Sequence, residues 1–293
     1  MTFGKRNITV KKLIILLAAL TVIVINACAQ DKGGGITPEM LEGFRKAQTE
    51  TQAEKALRKV FSNNDIGTLA KNLHNPQLND MNFSHSVPSK GITDQKGSGR
   101  CWLFSGLNVL RAQMIAKYNL GGFQFSQNYC FFYDQLEKSN LFLQSVIDSA
   151  DKPFDDKYVE WLFKNPISDG GQFTGISDIV TKYGLVPAEV MPETTASNYT
   201  NSMAKLVSYK LRQFGLELRE AVENKTKKTD IQERKTEMLS TIYHMLTMFL
   251  GEPPTQFEWT RIGSDGKKVD TRTYTPLGFY KEYVGQDLKN SYV

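Results

Sequence analysis

Residues 94–108 read DQKGSGRCWLFSGLN and contain the most specific structural pattern in the sequence. Apolar side chains start here and recur four, three and four residues apart, which is the spacing of one helical face. They are Leu103, Leu107, Leu110 and Met114. Residues 97–99, Gly-Ser-Gly, form a loop just before this helix. The pattern therefore predicts that Cys101 lies in the first turn of the helix.

Cys101 has the local setting of a nucleophile. The attacking species is the thiolate, which the dipole and free N–H groups of a helix N-terminus favour. The charge of the neighbouring Arg100 either adds to this field or points to solvent. Gln95, six residues upstream, has a side-chain amide that can meet a developing oxyanion together with the Cys101 N–H. The plain alternative is a buried, inert cysteine, which explains neither the glycines nor Gln95.

This segment resembles the active-site segment of the bleomycin hydrolase family, an aminopeptidase branch of the papain-like cysteine peptidases. The resemblance extends over roughly residues 80–293. Its further landmarks are residues 126–129 (SQNY), 169–172 (DGGQ), 183–187 (YGLVP), 191–193 (MPE), 251–254 (GEPP), 275–277 (TPL) and 279–282 (FYKE). The resemblance implies an α+β papain-like fold, with mainly the helical, nucleophile-bearing lobe present and the C-terminal side incomplete.

The resemblance also implies roles for four residues. It makes Cys101 the nucleophile and Gln95 the oxyanion donor of a cysteine peptidase that acts on peptides, with aminopeptidase action favoured. It assigns Gly170 and Gly171 to backbone contacts with an extended substrate, although an ordinary turn is the alternative for paired glycines. No metal-ligand spacing occurs in the sequence, and we expect no metal or other cofactor.

The catalytic base is the missing part. Papain-like peptidases use a histidine to move the proton and an Asn or Asp to orient it. His244 follows Cys101 by 143 residues, but it lies within an apolar helical stretch, whereas the family's base lies on a strand. His74 and His85 precede Cys101 in turn-rich sequence. We therefore expect the base His and the Asn in a C-terminal part that this sequence lacks, and we expect this chain alone to be inactive.

Two other functions stay open at this level. Transglutaminases also carry a Cys-Trp pair followed by Phe on their active-site helix, although Gln95 and residues 169–172 favour the peptidase. A truncated chain that only binds, or that is a remnant, is the second alternative. Aminopeptidase and endopeptidase action differ in this family by a C-terminal tail, so the sequence does not separate them. Members of this family form a hexameric ring, and by analogy alone this chain is a candidate for a homo-oligomer.

Residues 1–29 are predicted to be an export signal. Lys and Arg residues come first, residues 13–25 form an uncharged run of 13, and small residues follow. That run is shorter than the roughly 20 apolar residues of a membrane span. Either Cys28 is lipidated at a lipobox, which we favour, or the signal is cut before Gln30. We therefore expect the protein in the periplasm or anchored by lipid to a bacterial membrane.

The formal net charge of +5 depends on this signal. Four of the 36 basic residues and none of the 31 acidic residues lie in it, so the exported chain has 32 basic against 31 acidic residues. No basic footprint for nucleic acid remains, and we expect no nucleic-acid partner.

The rest of the chain is predicted to be mostly helical. Residues 30–79 form an N-terminal segment with two helices, the first beginning at Pro38 after Thr37. Residues 80–293 form the peptidase part, with helices over 126–145 and 176–183 and a helical insertion near 200–250. One buried stripe in the insertion is predicted to comprise Leu206, Leu211, Phe214 and Leu218.

Three smaller features complete the expectation. A hairpin covers residues 257–275, with its turn at 264–266. Cys130 lies in an apolar helical run and is predicted to be a buried free thiol. Without a second lobe, the helix that bears Cys101 is expected to leave an apolar face uncovered.

Overall fold

The computed structural model describes residues 35–71, 82, 84, 90–285, 287 and 288. The predicted signal with Cys28, and the histidines His74 and His85, lie outside these residues. The chain divides into two compact units, residues 1–82 and 83–293, which are described separately.

The first unit contains three short helices in its described part. They are α1 (Pro38–Ala47), α2 (Gln52–Asn63) and α3 (Ile66–Leu69). Thr37 caps α1 through its side chain and Pro38 is the first helical residue, as predicted. A capping box between Thr51 and Glu54 starts α2. The third helix is a single turn that the sequence did not predict.

The second unit is mostly helical. Its helices are α4 (Cys101–Tyr118), α5 (Gln127–Asp148), α6 (Lys157–Lys164), α7 (Phe173–Tyr183), α8 (Thr195–Asn198), α9 (Asn201–Glu223), α10 (Lys228–Leu250) and α11 (Pro276–Tyr283). Helix α5 is central and packs against α4, α7, α9 and α10. None of the described helices has the length and apolar character that crossing a membrane requires.

One two-stranded antiparallel sheet occurs in the described residues. Strand β1 (Phe257–Ile262) pairs with β2 (Lys268–Tyr274), and the chain reverses over residues 263–267, so the predicted hairpin is confirmed. Trp259 packs the hairpin against the rest of the second unit. The centroid of its ring lies 5.2 Å from the ring centroid of Phe279 and 5.6 Å from that of Phe123.

The core confirms one predicted apolar stripe and corrects another. On α4, the four predicted side chains Leu103, Leu107, Leu110 and Met114 are all buried. On α9, Leu206 is 49% exposed, and Val207 is buried in its place beside the next predicted core residue, Leu211. The reason is geometric, since the four-residue step from Val207 to Leu211 keeps one helical face and the five-residue step from Leu206 does not.

The exposed face of α4 carries less apolar surface than the sequence predicted. The exposed face of this helix carries Cys101, Ser105, Val109 and Gln113, four residues apart. Val109 is the one large hydrophobic side chain of this face, at 51% exposure. The face on which Cys101 lies is therefore mixed in polarity.

Candidate active site

Cys101 is the first residue of α4, and its side chain is exposed. The carbonyl of Arg100 accepts the first hydrogen bonds of the helix, from the N–H groups of Leu103 and Phe104 at 3.0 Å each. The first amides of a helix have no intrahelical partner, so N–H groups remain free around the Cys101 thiol. This arrangement suits a thiolate and confirms the predicted place of Cys101 in the first turn.

Cys130 has the opposite environment. Its thiol is buried within α5, and burial raises the pKa of Cys130 well above the usual range. The prediction of a buried free thiol is confirmed, and Cys101 is the reactive candidate of the two cysteines that the structure describes.

Gln95 lies in a loop that folds back on itself. Its side-chain amide donates to the carbonyl of Ser98, and the Ser98 hydroxyl donates to the carbonyl of Gln95 at 2.7 Å. An amide nitrogen carries two hydrogens, so one N–H of Gln95 is left for a substrate oxyanion. The oxyanion role of Gln95 stays a prediction.

Arg100 lies in neither of the two predicted places. Its side chain is completely buried and forms an ion pair with Glu193, with its Nη2 2.8 Å from the Glu193 Oε2. The guanidinium therefore neither points to solvent nor remains an unbalanced charge beside Cys101.

Asp169 joins three parts of the site through contacts that were not predicted from the sequence, although residues 169–172 were identified as a landmark of the family. Its Oδ2 accepts from the Gly99 N–H at 2.6 Å and from the Thr200 hydroxyl at 2.5 Å. Its carbonyl accepts from the indole N–H of Trp102 at 2.9 Å. Burial acts to raise the pKa of Asp169, but the hydrogen bonds from Thr200 and Gly99 outweigh it and leave the pKa below its ordinary value.

The two predicted substrate glycines follow Asp169 and are both exposed. The carbonyl of Gly170 accepts from the Lys138 ammonium at 2.7 Å, and is therefore already occupied. Gly171 lies against the indole ring of Trp102, the residue after Cys101. The structure thus brings this glycine strip beside the first turn of α4.

His244 is the histidine that the described residues contain. It lies within α10 with an exposed side chain, which confirms that it is a helix residue. Helix α10 packs against α5 and α9, whereas Cys101 begins α4. Nothing in this arrangement pairs His244 with Cys101.

Comparisons with known proteins agree on one family. The model of the Peptidase C1-like family matches residues 35–293. Aminopeptidase C of Lactobacillus delbrueckii subsp. lactis is 42% identical over 211 residues, which is 72% of this chain and 47% of that protein. Bleomycin hydrolase of Rattus norvegicus is 39% identical over 206 residues, covering 69% of this chain and 45% of the other.

A solved structure shows the same likeness. PepW from Lactobacillus rhamnosis HN001 superposes with a TM-score of 0.81 at 38% identity, covering 88% of this chain and 58% of PepW. The predicted α+β papain-like fold is confirmed by this match. The chain spans about half the length of the curated relatives it matches.

Proposed function

Because this chain belongs to the Peptidase C1-like family, in its bleomycin hydrolase and aminopeptidase C branch, we propose that it is the nucleophile-bearing part of a cysteine aminopeptidase. The observation that carries the proposal is the exposed Cys101 at the start of α4, beside the Gln95 loop and the exposed residues 170–171. The names of the matching relatives favour a peptidase over a transglutaminase-like enzyme.

The proposed reaction is an acyl transfer through Cys101. The thiolate attacks the carbonyl carbon of the scissile peptide bond, and the electron pair of the C=O bond moves onto oxygen. The N–H of Cys101 and the free N–H of Gln95 then stabilise this oxyanion. Collapse of the intermediate breaks the C–N bond, the amine leaves with a proton from the base, and water hydrolyses the thioester.

The base is proposed to come from outside the described residues. A histidine must take the thiol proton and return it to the leaving amine, with an Asn to orient its ring. His244 is not suited to this role, because it lies on the outer side of α10. We therefore propose that the histidine and the Asn belong to a further part of the protein, and that this chain alone is inactive.

Substrate contacts are proposed to centre on Gly171. The carbonyl of Gly170 already accepts from Lys138, so the main-chain groups of Gly171 are better placed to pair with an extended peptide. Relatives named aminopeptidase C support removal of N-terminal residues as the reaction. A homo-oligomer remains part of the proposal by analogy with the family.

Export is also proposed, on the predicted signal alone. Mass spectrometry of the exported protein is expected to find its N-terminus at a lipidated Cys28 or at Gln30. An exported protein with an intact Met1 would contradict this assignment.

The experiment that tests the peptidase uses the complete protein and fluorogenic aminoacyl amides. Cys101→Ala should abolish hydrolysis, and Gln95→Ala should lower kcat by about 10²–10³-fold, the usual effect of losing one oxyanion donor. Ser105→Ala is the matched control, since Ser105 is exposed one turn after Cys101 on the same face and should keep wild-type rates.

The same assay separates the two kinds of peptidase. An aminopeptidase should lose activity when the α-amine of the substrate is acetylated, whereas an endopeptidase should tolerate the acetyl group. Wild-type hydrolysis in Cys101→Ala would overturn the assignment of the nucleophile.

A further inference from the structure

Arg100, the residue before the nucleophile, is held in an unusual way for an arginine. Its side chain is completely buried, although Arg is among the residues least often buried. It forms a two-pronged contact with Glu193, with Nη1 3.2 Å from Oε1 and Nη2 2.8 Å from Oε2. Such a fork fixes both the distance and the orientation of the guanidinium plane.

The surroundings of the guanidinium are equally specific. Its central carbon lies 5.1 Å from the ring centroids of both Phe104 and Phe131, within the range of cation–π attraction. The carboxylate of Glu193 also accepts from the Ser197 hydroxyl at 2.6 Å. The buried guanidinium is therefore balanced in charge, as a buried ion requires, by a carboxylate that is itself 27% exposed.

The third contact of this side chain leads to the oxyanion loop. The Arg100 Nε donates to the Ser98 hydroxyl at 3.0 Å, and that hydroxyl donates to the Gln95 carbonyl at 2.7 Å. The backbone of the same arginine accepts the first two hydrogen bonds of α4. One residue thus fixes both the start of the nucleophile helix and the loop that carries Gln95.

We propose that Arg100, locked by Glu193, is a positioning residue that aligns Cys101 with the Gln95 loop. The inference rests on the proposed role of Cys101 as the nucleophile. Arg100 acts through its neighbours and does not itself touch the substrate. Its effect is one of geometry, because the Glu193 carboxylate cancels the guanidinium charge.

A mechanism based on charge predicts opposite results for two variants, and a mechanism based on geometry predicts the same result for both. Arg100→Met removes a cation near Cys101, and Glu193→Gln removes an anion while it keeps the side-chain shape. If the pair acted through its field, the first change would disfavour the thiolate and the second would favour it. If the pair acts by alignment, both changes disturb the first turn of α4 and weaken the interaction of its N–H groups with the thiolate. Both changes then slow the reaction of Cys101.

The test follows alkylation of Cys101 by iodoacetamide in the complete protein across a range of pH, with each modified cysteine identified by mass spectrometry. We expect Arg100→Met and Glu193→Gln each to slow Cys101 alkylation at neutral pH by about 3- to 10-fold, the size of a helix N-terminus effect on a negative charge. Both should displace the rate–pH profile to higher pH, a shift that a merely structural role would not cause. The Arg100→Met/Glu193→Gln double variant should be as slow as either single variant.

Two internal controls keep the result interpretable. The buried Cys130 reports unfolding, because its alkylation stays slow while α5 is intact. Arg219→Met is the matched variant, since Arg219 is also buried, donates to the carbonyls of Ser149 and Lys152, and lies over Phe154 at 4.4 Å. It should lower stability and leave the Cys101 profile unchanged.

Three outcomes would overturn the proposal. They are faster alkylation in Glu193→Gln, a double variant restored to the wild-type rate, and an Arg219→Met variant as slow as Arg100→Met. If Cys130 becomes reactive in Arg100→Met, that variant has unfolded and the near-isosteric Glu193→Gln decides the question. The assay needs no peptide hydrolysis, so a failed peptidase assignment would be recognised separately.

Discussion

Gly171 and Trp102 lie so close together that a methyl group added at Gly171 should push the indole ring away. A Cβ at Gly171 would lie 2.6 Å from Cε2 of the indole, whereas a Cβ at Gly170 would meet nothing within 4 Å. Overpacking of this kind typically costs about 1–3 kcal/mol. We therefore expect Gly171→Ala to lower the free energy of unfolding by that amount and Gly170→Ala to leave it nearly unchanged, as measured by urea denaturation.

The same pair of variants tests whether the strip positions the indole. Trp102 donates to the Asp169 carbonyl at 2.9 Å, and a displaced ring would lose this bond. Tryptophan fluorescence of the folded protein should change in Gly171→Ala and not in Gly170→Ala. Equal stability and equal spectra in the two variants would show that the ring is free to move.

Asp169 should make the stability of the protein depend on pH in a definite direction. Its pKa is lowered in the folded state, because the bonds from Thr200 and Gly99 outweigh the effect of burial. A carboxyl with a depressed pKa contributes stability above its unfolded pKa, and this contribution is lost as the pH falls through the folded value. The stability difference between wild type and Asp169→Asn should therefore be constant near neutral pH and shrink below about pH 4.

Asp134 is a control, because its pKa is shifted in the opposite direction from that of Asp169. Burial raises the pKa of Asp134, although Lys138 and Gln135 partly offset it. The wild type should therefore gain stability relative to Asp134→Asn as the pH falls. Denaturation curves over acid pH measure both trends, and a parallel trend in the two variants would contradict the assignment of Asp169.

The site residues that were predicted from the sequence are those with local signals. Cys101 follows a glycine loop and begins an apolar helical stripe, so its position needs only neighbouring residues. The partners of Arg100 and Asp169 were not predictable in this way, because Glu193 lies 93 residues after Arg100 and Asp169 lies 70 residues after Gly99. The pairing depends on tertiary packing, which periodicity does not encode.

The orientation of helix α4 depends on a close contact with helix α7. A Cβ at Gly106 would lie 2.1 Å from Cδ1 of Ile176, a side chain that is itself buried. Gly106→Ala should therefore cost about 1–3 kcal/mol through overpacking, in spite of the better helix propensity of Ala. Ile176→Val should cost about 0.5–1.5 kcal/mol alone.

The Gly106→Ala/Ile176→Val double variant tests whether the contact between these two residues causes the loss of stability. Ile176→Val removes the methyl group that the new Cβ would strike, so the combined loss should be smaller than the sum of the two single losses. Gly43→Ala is the matched control, because Gly43 lies in α1 with nothing within 4 Å of its Cβ position and should not be destabilised. Additive losses in thermal denaturation would show that α4 and α7 shift apart freely.

Two of the elements predicted from the sequence have a cap or a turn residue at their ends. Ser126 caps α5 through its side chain, and the hairpin reverses beside Gly266 at positive φ. Helix α11 was not predicted, although Thr275 caps it through its side chain. The inward face of α9 was predicted less well, because Leu206 and Val207 are equally apolar. Only the packing of α9 against α5 and α10 decides which of them is buried.

In the described residues of the whole chain, the proposed nucleophile Cys101 and the histidine His244 lie on different helices. Cys101 begins α4 with free helix N–H groups around it, and His244 lies on another helix with an exposed side chain. Loss of one member of a coupled catalytic unit costs nearly as much as loss of all of them. We therefore expect the purified 293-residue chain to be alkylated at Cys101 and yet not to hydrolyse aminoacyl substrates.

The comparison that decides this prediction is between the 293-residue chain and the complete protein, each with and without His244→Ala. The complete protein should keep its activity in His244→Ala, because that side chain is exposed on α10 and is not the proposed base. Iodoacetamide should still react with Cys101 in the shorter chain, which shows that the nucleophile is formed although turnover is absent. Hydrolysis by the shorter chain at the rate of the complete protein, together with its loss in His244→Ala, would mean that α10 supplies the base and that the proposed separation of nucleophile and base is wrong.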